Sequence, residues 1–325
     1  MRTMLPAAVV AIAVAMAPCA LAQTYPARPM TFVIPFAAGG PTDKVGRLVA
    51  GRLTEILGQQ VRVDNVGGEG GQTGSKRVVE AVPDGYTILM GTVGTHAQSQ
   101  TLHRTPPYNA LTDFTPVALL AEVPIVLIAR RDLPAQDLKS FAAHVKENAG
   151  KMTFGSAGTG SASHLACAVA NAALGLTITH SPYGGTRPAM DDLEGGRIDY
   201  LCEIAATARP ALDSGRVKGI AVMAPRRSRV LPTLPTAAEQ GVAGLDAYTW
   251  NAIFLPKGAP EAVVRTLAEA VDRALETPAL RDTLAELGWI VMPQDRRTPA
   301  YLAVFLKAEI EKWAAAIKAS GVSAE

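Results

Sequence analysis

Short apolar runs alternate with glycine-rich turns along most of the chain. Residues 30–36 form an apolar, partly β-branched run, and residues 37–43 read Ala-Ala-Gly-Gly-Pro-Thr-Asp. Apolar side chains then recur at helical spacing up to Gly58: Val45, Leu48, Val49, Leu53, Ile56 and Leu57. This pattern predicts a strand, a glycine loop and a helix, in that order.

The same order of strand, turn and helix recurs downstream. We predict further strands at residues 61–63, 86–90, 123–129, 152–154, 177–180, 198–202 and 219–223. We predict further helices at residues 75–81, 140–149, 163–174 and 187–194. Strands that alternate with helices indicate parallel sheets covered on both faces, here in two α/β halves. In such sheets ligands bind beyond the carboxyl ends of the strands.

The C-terminal part combines a proline-rich stretch with three predicted helices. Four prolines between residues 225 and 256 surround the apolar run 250–255, which we interpret as a return crossing between the halves. The helices are predicted at residues 262–276, 278–287 and 299–319. The last one should bury one apolar face, formed by Leu302, Leu306, Ile310, Trp313 and Ile317.

The composition excludes several classes of protein. Of the 325 residues, 48% are hydrophobic and 18% are charged, and the formal net charge is +2. A disordered chain would have fewer apolar residues, and a nucleic-acid binder would usually have a basic excess. We therefore expect a soluble globular protein that does not bind nucleic acid. Its length favours two domains over one oversized core.

The first residues resemble a secretory signal. Arg2 supplies a basic start, residues 5–17 are apolar with one proline, and Ala20-Leu21-Ala22 has the small-x-small pattern of a cleavage site. The run is shorter than the roughly 20 residues that span a bilayer. We therefore expect residues 1–22 to be a signal peptide, cleaved after Ala22, and the protein to be periplasmic.

Cys167 and Cys202 remain after removal of that segment. Thiols of an exported protein can pair in an oxidising compartment. The pattern places Cys167 in an Ala-rich helix and Cys202 at the end of a strand. We expect two separate buried thiols, with a disulfide as the alternative.

Two glycine-rich loops carry the candidate binding chemistry. Residues 35–43 and residues 155–165 each connect a predicted strand to a helix, one in each half. Glycine permits close approach, and the free N–H groups of the helix's first turn can hold an anion without a basic side chain. The alternative for the first loop is a tight turn in which Thr42 or Asp43 only caps the helix. Residues 91–96 are a third candidate segment.

Other kinds of site find no support in the sequence. It contains no Gly-x-Ser-x-Gly nucleophile motif, no His-Glu-x-x-His zinc motif and no P-loop. The glycines of residues 67–74 follow the second strand and precede Lys76 and Arg77, unlike a dinucleotide-binding turn. The five histidines have no metal-ligand spacing. We therefore expect no catalytic residues, no metal and no cofactor.

Five segments together resemble one protein family. They are residues 25–43 (YPARPMTFVIPFAAGGPTD), 83–92 (PDGYTILMGT), 155–165 (GSAGTGSASHL), 181–200 (SPYGGTRPAMDDLEGGRIDY) and 231–241 (LPTLPTAAEQG). They are similar to the Bug family, the extracytoplasmic substrate-binding proteins of tripartite tricarboxylate transporters, which includes the citrate-binding TctC.

This resemblance implies the fold and its division. The fold would be α/β, a type II periplasmic binding protein with two lobes, a central cleft and two crossing hinge segments. Lobe 1 would comprise residues 23–122 and 248–325, and lobe 2 would comprise residues 123–247.

The resemblance also implies a ligand site shared by the two lobes. From lobe 1 it takes Phe36, Gly39, Gly40, Pro41, Thr42, Asp43, Thr92 and Thr95. From lobe 2 it takes Ser156, Gly158, Ser161, His164, Tyr183, Gly184 and Glu203. In this family ligand carboxylates are held mainly by backbone amides, hydroxyls and ordered water. His164 would either bind the ligand or fix the loop, and Arg187 and Glu203 depart from the common family pattern.

The function implied is capture of a small carboxylate for uptake. The ligand would be a di- or tricarboxylate, an aromatic acid or an acidic amino acid, and it would favour the closed state of the lobes. The partners would be membrane permease subunits of the TctA/TctB type, with the protein itself a monomer. Two alternatives remain: a sensory protein that presents its ligand to a membrane histidine kinase, and a periplasmic enzyme.

Overall fold

The computed structural model describes residues 25–224, 226–245 and 247–320. The predicted signal peptide, residues 1–22, lies outside the described residues. The strands are β1 (Met30–Ile34), β2 (Val61–Asn65), β3 (Thr87–Thr92), β4 (Phe114–Arg130), β5 (Thr153–Ser156), β6 (Thr179–Pro182), β7 (Tyr200–Ile204), β8 (Val217–Met223), β9 (Tyr248–Pro256) and β10 (Ile290–Val291).

Helices connect most of these strands. They are α1 (Pro41–Leu57), α2 (Gln72–Val79), α3 (Ser99–Leu102), α4 (Leu138–Glu147), α5 (Ala162–Leu174), α6 (Thr186–Glu194), α7 (Ala205–Asp213), α8 (Glu261–Glu276), α9 (Pro278–Glu286) and α10 (Pro299–Ser320). Short helical turns lie at Glu69–Gly71, Gly94–Gln98, Ala149–Lys151 and Gln294–Arg296. The sequence analysis did not predict α3, α7 or the turn that precedes α3.

The strands form two sheet regions that share β4. The strand order is β2-β1-β3-β9-β4-β7-β5-β6, and β8 and β10 also pair with β4. The pairs β1–β2, β1–β3, β5–β6 and β5–β7 are parallel, as the alternation of strands and helices predicts. β9 runs antiparallel between β3 and β4. The predicted α/β fold is confirmed, with antiparallel strands at its centre.

β4 carries the chain from one lobe into the other. Up to Pro124 it pairs with β9, and from Ile125 it pairs with β7 and β8. Pro116 lies where the register with β9 shifts, so its missing N–H interrupts no regular ladder. The sequence predicts only residues 123–129 of this strand.

The return crossing lies beside the first one. The Ile125 N–H donates to the Ala247 carbonyl at 3.2 Å, and the Ala247 N–H donates to the Met223 carbonyl at 2.9 Å. β9 begins at the next residue, Tyr248. The strand partners therefore change within β4 and again between Ala247 and Tyr248. Both changes support the predicted lobe boundaries at residues 122/123 and 247/248, but the boundaries stay a prediction.

Helices cover both faces of the sheet in lobe 1. α1 places Val45, Val49 and Leu53 in a core shared with α8 on one face, and all three are fully buried. α10 covers the other face. Its predicted apolar stripe is confirmed: Leu302, Leu306, Trp313 and Ile317 are buried and Ile310 is partly buried.

The buried carboxylate of Glu309, which the sequence analysis missed, connects α10 to β9. Glu309 accepts hydrogen bonds from the Trp250 indole N–H at 2.9 Å and from the Tyr248 hydroxyl. Both donors lie on β9.

Lobe 2 repeats the layered arrangement and contains the cysteine pair. α4 and α5 pack on one face of its sheet, and α6 and α7 pack on the other. Cys167 on α5 and Cys202 on β7 form a disulfide, with 5.4 Å between their Cα atoms. The expectation of two separate thiols is therefore wrong. The helix and strand assignments were right, but packing of α5 directly against β7 brings the cysteines together.

We expect the disulfide to contribute substantially to stability. Replacing both Cys167 and Cys202 by Ala in residues 23–325 should lower the free energy of unfolding by about 2–4 kcal/mol, because the bond closes a loop with a sequence separation of 35. Urea unfolding of the two proteins measures the difference.

Reductant supplies the control for this comparison. Reductant should lower the free energy of unfolding of the wild-type protein and leave that of the double variant unchanged. Free thiols detected in denatured, unreduced wild-type protein would contradict the assignment.

Candidate functional site

Four helices begin at the interface between the lobes. Their N-terminal flanking residues are Gly40 for α1, Ser161 for α5, Gly185 for α6 and Ile204 for α7. The first N–H groups of a helix have no partner within it, and the aligned peptide dipoles make this end positive. Because residues at all four starts border the same cavity, their N–H groups create a positive potential there.

The cavity is lined by residues from both lobes. They are Phe36, Gly40, Pro41, Thr42, Thr92, Ile125, Ala157, Ser161, Ala162, Ser163, Thr186, Cys202, Glu203, Ile204 and Thr249. No Lys, Arg or His is among these described residues, so the helix starts and hydroxyl groups are the groups there that can attract an anion.

The structure places about half of the predicted site residues on this cavity. Phe36, Gly40, Pro41, Thr42, Thr92, Ser161 and Glu203 line it. The other predicted residues, Gly39, Asp43, Thr95, Ser156, Gly158, His164, Tyr183 and Gly184, lie behind it or at the edge of the cleft.

Asp43 stabilises the first glycine-rich loop, residues 35–43, through hydrogen bonds. It is 3% exposed. Its Oδ2 accepts the Gly39 N–H at 2.8 Å and the Arg47 Nε–H at 3.0 Å, and its Oδ1 accepts from Asn65 Nδ2 at 2.9 Å. Burial opposes ionisation, but these hydrogen bonds outweigh it and hold the pKa of Asp43 below its usual value. The charged carboxylate thereby fixes Gly39, whose φ of 81° favours glycine.

Thr95 supports Thr92 in a similar way. The Thr92 N–H donates to Thr95 Oγ1 at 2.9 Å, and that hydroxyl also contacts His96 Nδ1 at 2.8 Å. Burial lowers the pKa of His96 to about 3, so its ring is neutral. It stacks on Phe254 with 4.0 Å between ring centroids. This buried set orients the end of β3, where Thr92 meets the cavity.

His164 fixes the second loop. Its Nδ1 accepts the Gly160 N–H at 3.2 Å, and its ring stacks on His180 at 4.0 Å. Burial, reinforced by His180 and His103, lowers the pKa of His164 to about 3. This contact supports the loop-fixing role, which is one of the two that the sequence left open.

Ser156 also acts within the second loop. Its hydroxyl lies 2.6 Å from His180 Nε2 and accepts the Gly158 N–H at 3.0 Å. At the start of α5, the Ser161 hydroxyl accepts the His164 N–H at 3.3 Å as a helix cap.

Tyr183 and Gly184 border the mouth of the cleft. The Tyr183 hydroxyl donates to Asp192 Oδ2 at 2.6 Å, and the Gly184 carbonyl accepts the Ala37 N–H from the other lobe at 3.2 Å. Both residues line a second opening together with Gln72 and His103.

The lobes are in close contact along the cleft. A Cβ at Gly70 would lie 2.0 Å from the Thr159 carbonyl oxygen, and a Cβ at Gly94 would lie 2.7 Å from the Ala162 nitrogen. The interlobe cavity measures about 40 Å³, whereas small-molecule pockets usually measure roughly 300–1,000 Å³. The structure therefore shows a tightly closed arrangement.

Glu203 is the ionisable group on the cavity wall. It is the penultimate residue of β7, is 1% exposed, and accepts the Ile204 N–H on Oε1 at 2.7 Å. Burial raises the pKa of Glu203 to about 8. The carboxyl group is therefore mostly protonated at neutral pH in this closed arrangement.

The sequence analysis missed several lining residues, notably Thr186, Ser163 and Thr249. Thr186 follows Gly184-Gly185 at a strand-to-helix turn, the same signal that identified the two longer loops. Thr249 lies on β9 within the proline-rich crossing, and no local motif marks it.

A wider cavity of about 640 Å³ adjoins the crossing segments and includes Pro124, Tyr248 and Trp289 in its walls. None of the four helix starts is among its described lining residues. The interlobe cavity is therefore the candidate site.

The described residues contain neither a candidate metal site nor a candidate membrane-spanning helix. They contain no group of three or more His, Cys, Asp or Glu side chains arranged to hold a metal ion. Within the same residues, no helix is both long and apolar enough to cross a membrane.

Comparison with known proteins identifies the family. The family model described as "Tripartite tricarboxylate transporter family receptor", TctC, matches residues 45–322. The periplasmic binding protein BugD is a similar solved structure, with 38% identity, a TM-score of 0.89, and coverage of 93% of this chain and 100% of that chain.

Two further solved structures contain dicarboxylates. MatC of Rhodopseudomonas palustris with bound malate has 39% identity and a TM-score of 0.88, covering 90% of this chain and 100% of that chain. Rpa4515 of R. palustris with adipate has 32% identity and a TM-score of 0.87, covering 92% of this chain and 99% of that chain. The family and these neighbours are binding proteins rather than enzymes, as the sequence predicts. The chain belongs to the TctC-like Bug family of periplasmic solute-binding proteins.

Proposed function

We propose that this protein captures a small dicarboxylate between its lobes and delivers it to the permease of a tripartite tricarboxylate transporter. The observation that carries the proposal is the convergence of four helix N-termini on a cavity without a cationic side chain among its described lining residues. The malate and adipate bound to two similar structures favour dicarboxylates within the broader class of small acids.

Closure of the lobes would accompany capture. The present cavity of about 40 Å³ is smaller than a usual small-molecule pocket, so a ligand would enter while the lobes are apart. Lobe 1 (residues 23–122 and 248–325) and lobe 2 (residues 123–247) would rotate about the two adjacent crossings. Shifting a population from 1:99 to 99:1 takes about 5.5 kcal/mol of differential binding. Hydrogen bonds to a charged group contribute about 1.5–3 kcal/mol each, so a few amide contacts from the second lobe suffice.

The family to which the chain belongs supports delivery to permease subunits of the TctA/TctB type. A closed, ligand-bound form would present a surface that differs from that of the open form, which lets a membrane partner distinguish the two.

Binding of dicarboxylates can be tested by thermal shift. Malate, succinate and adipate should raise the melting temperature, because a ligand at 100 times its dissociation constant stabilises the folded state by about 2.7 kcal/mol. The corresponding diamides are the matched control and should have no effect, since they lack the charge that the helix starts attract. If no acid shifts the transition, the proposed ligand class is wrong.

Closure can be tested at Gly94. The Gly94→Ala variant should bind the best dicarboxylate of that panel about 10- to 100-fold more weakly, because its Cβ would lie 2.7 Å from the Ala162 nitrogen of the other lobe. Gly94 lies in helical backbone, which alanine adopts readily, so lobe 1 should fold normally. Calorimetry measures the affinity, and small-angle scattering measures compactness with ligand present.

Gly51→Ala is the matched control for this variant. Gly51 lies within α1, and a Cβ there would meet nothing within 4 Å. The control should bind normally; equal affinity in both variants would exclude closure to the contact seen here.

Export through the predicted signal peptide is part of the same proposal. When the full chain is expressed in a Gram-negative host, the protein recovered from the periplasm should begin at Gln23. N-terminal sequencing and intact mass test this. A periplasmic protein that retains Arg2 would contradict cleavage after Ala22.

A further inference from the structure

Glu203 lines the interlobe cavity, and one of its two carboxyl oxygens has no hydrogen-bond partner among the described residues. Its Oε1 accepts the Ile204 N–H, while its Oε2 is buried and has no hydrogen-bond partner among the described residues. Glu203 is also the one ionisable group among the described residues that line the cavity, since Cys202 is in a disulfide. A buried polar atom without a partner is costly, so Oε2 needs a partner that the ligand can supply.

The surroundings of Glu203 favour its protonated form. Val126, an apolar residue on β4, pairs with it in the sheet. The groups that favour ionisation are the Ile204 N–H from α7, the Thr186 hydroxyl from α6 and the more distant charge of Lys44 from α1. Burial outweighs them and raises the pKa of Glu203 to about 8. With Oε1 occupied by an N–H donor, the proton resides on Oε2.

The charge of the cavity decides what Oε2–H can bind. An ammonium group would be repelled by the positive ends of four helices, whereas a carboxylate is attracted. An ionised Glu203 would repel a second ligand carboxylate at this wall, but a protonated Glu203 can donate a hydrogen bond to it. The matching ligand group is therefore a carboxylate.

We propose that Glu203 binds one carboxylate of a dicarboxylate as a protonated side chain, so that capture of the ligand takes up one proton. This inference rests on the proposed function. The proton comes from solvent and stays on Oε2, the O–H donates to a ligand carboxylate oxygen, and no covalent bond changes.

The affinity for the ligand should depend on pH because the pKa of Glu203 differs between the open and the closed arrangement of the lobes. With the lobes apart, water reaches Glu203 and its pKa returns towards 4.5; in the closed form it is about 8. Between these values the closed complex holds one more proton than the separated partners. Affinity should therefore fall as pH rises through this interval, by up to about tenfold per pH unit. Below the interval Glu203 is protonated in both states, and above it in neither, so the affinity should level off.

The experiment is calorimetric titration of the folded protein with malate and with adipate between about pH 6.5 and about pH 8, in buffers of different ionisation enthalpy. Both carboxyl groups of each acid are ionised in this range. For the wild type we expect uptake of close to one proton near pH 7 and a dissociation constant that rises several-fold to tenfold per pH unit.

Two substitutions separate the role of the proton from that of the side chain. Glu203→Gln keeps a donor without a titrating group, so it should bind with an affinity that does not change with pH and more tightly than the wild type at pH 8. Glu203→Ala lacks the donor and should bind more weakly at every pH. Glu286→Gln, an exposed change away from the cavity, should reproduce the wild-type profile.

The outcomes distinguish this inference from the proposed function. Binding of malate or adipate without proton uptake, or an unchanged pH profile in Glu203→Gln, overturns the role of Glu203 and leaves capture intact. Tight binding of aspartate that Glu203→Gln abolishes would show that an ionised Glu203 binds an ammonium group, which also overturns it. If none of these acids binds to folded protein at any pH, the proposed function fails together with this inference.

Discussion

Backbone N–H groups at the starts of α1, α5, α6 and α7 provide the positive potential of the interlobe cavity. They must point into a common space, because their partial charges act only within about one helical turn. The backbones of the two lobes therefore approach each other closely. This explains why residues 70 and 94 are glycines, since a Cβ at either position would collide with the opposite lobe. Amide donors fixed by helices need no reorganisation when an anion arrives. Flexible lysine or arginine side chains would lose conformational freedom on binding.

The side chains with the most obvious chemistry serve this backbone geometry. Asp43 holds Gly39, His164 holds Gly160, and Thr95 holds Thr92, each through buried hydrogen bonds. Their pKa values reflect these positions: hydrogen bonds keep Asp43 charged, and burial keeps His164 neutral. Glu203 differs from them because its Oε2 has no hydrogen-bond partner in the part of the chain that the structure describes.

Two lobes can close on one ligand only if their connection is both ordered and narrow. β4 provides this connection, since its first part belongs to the sheet of lobe 1 and its second part to that of lobe 2. The return crossing is hydrogen-bonded beside it through Ala247. Helices cover both sheet faces in each lobe, but Leu165 of α5 and Ile204 and Ala206 at the start of α7 pack into the cores of lobe 1. A rotation at the crossings would have to separate these contacts.

The sequence by itself determined the α/β class, most elements, the apolar face of α10, and the position of both glycine loops at the ends of strands. These features follow from local periodicity and from conformations that glycine permits, which neighbouring residues encode directly. Tertiary structure decided which residues meet. Cys167 and Cys202 pair because α5 lies on β7, and Thr249 reaches the cavity because β9 begins next to the return crossing at Ala247. Asp43 accepts a hydrogen bond from Asn65 and does not line the cavity. Burial raises the pKa of Glu203 to about 8, and that burial depends on contacts between segments far apart in the chain.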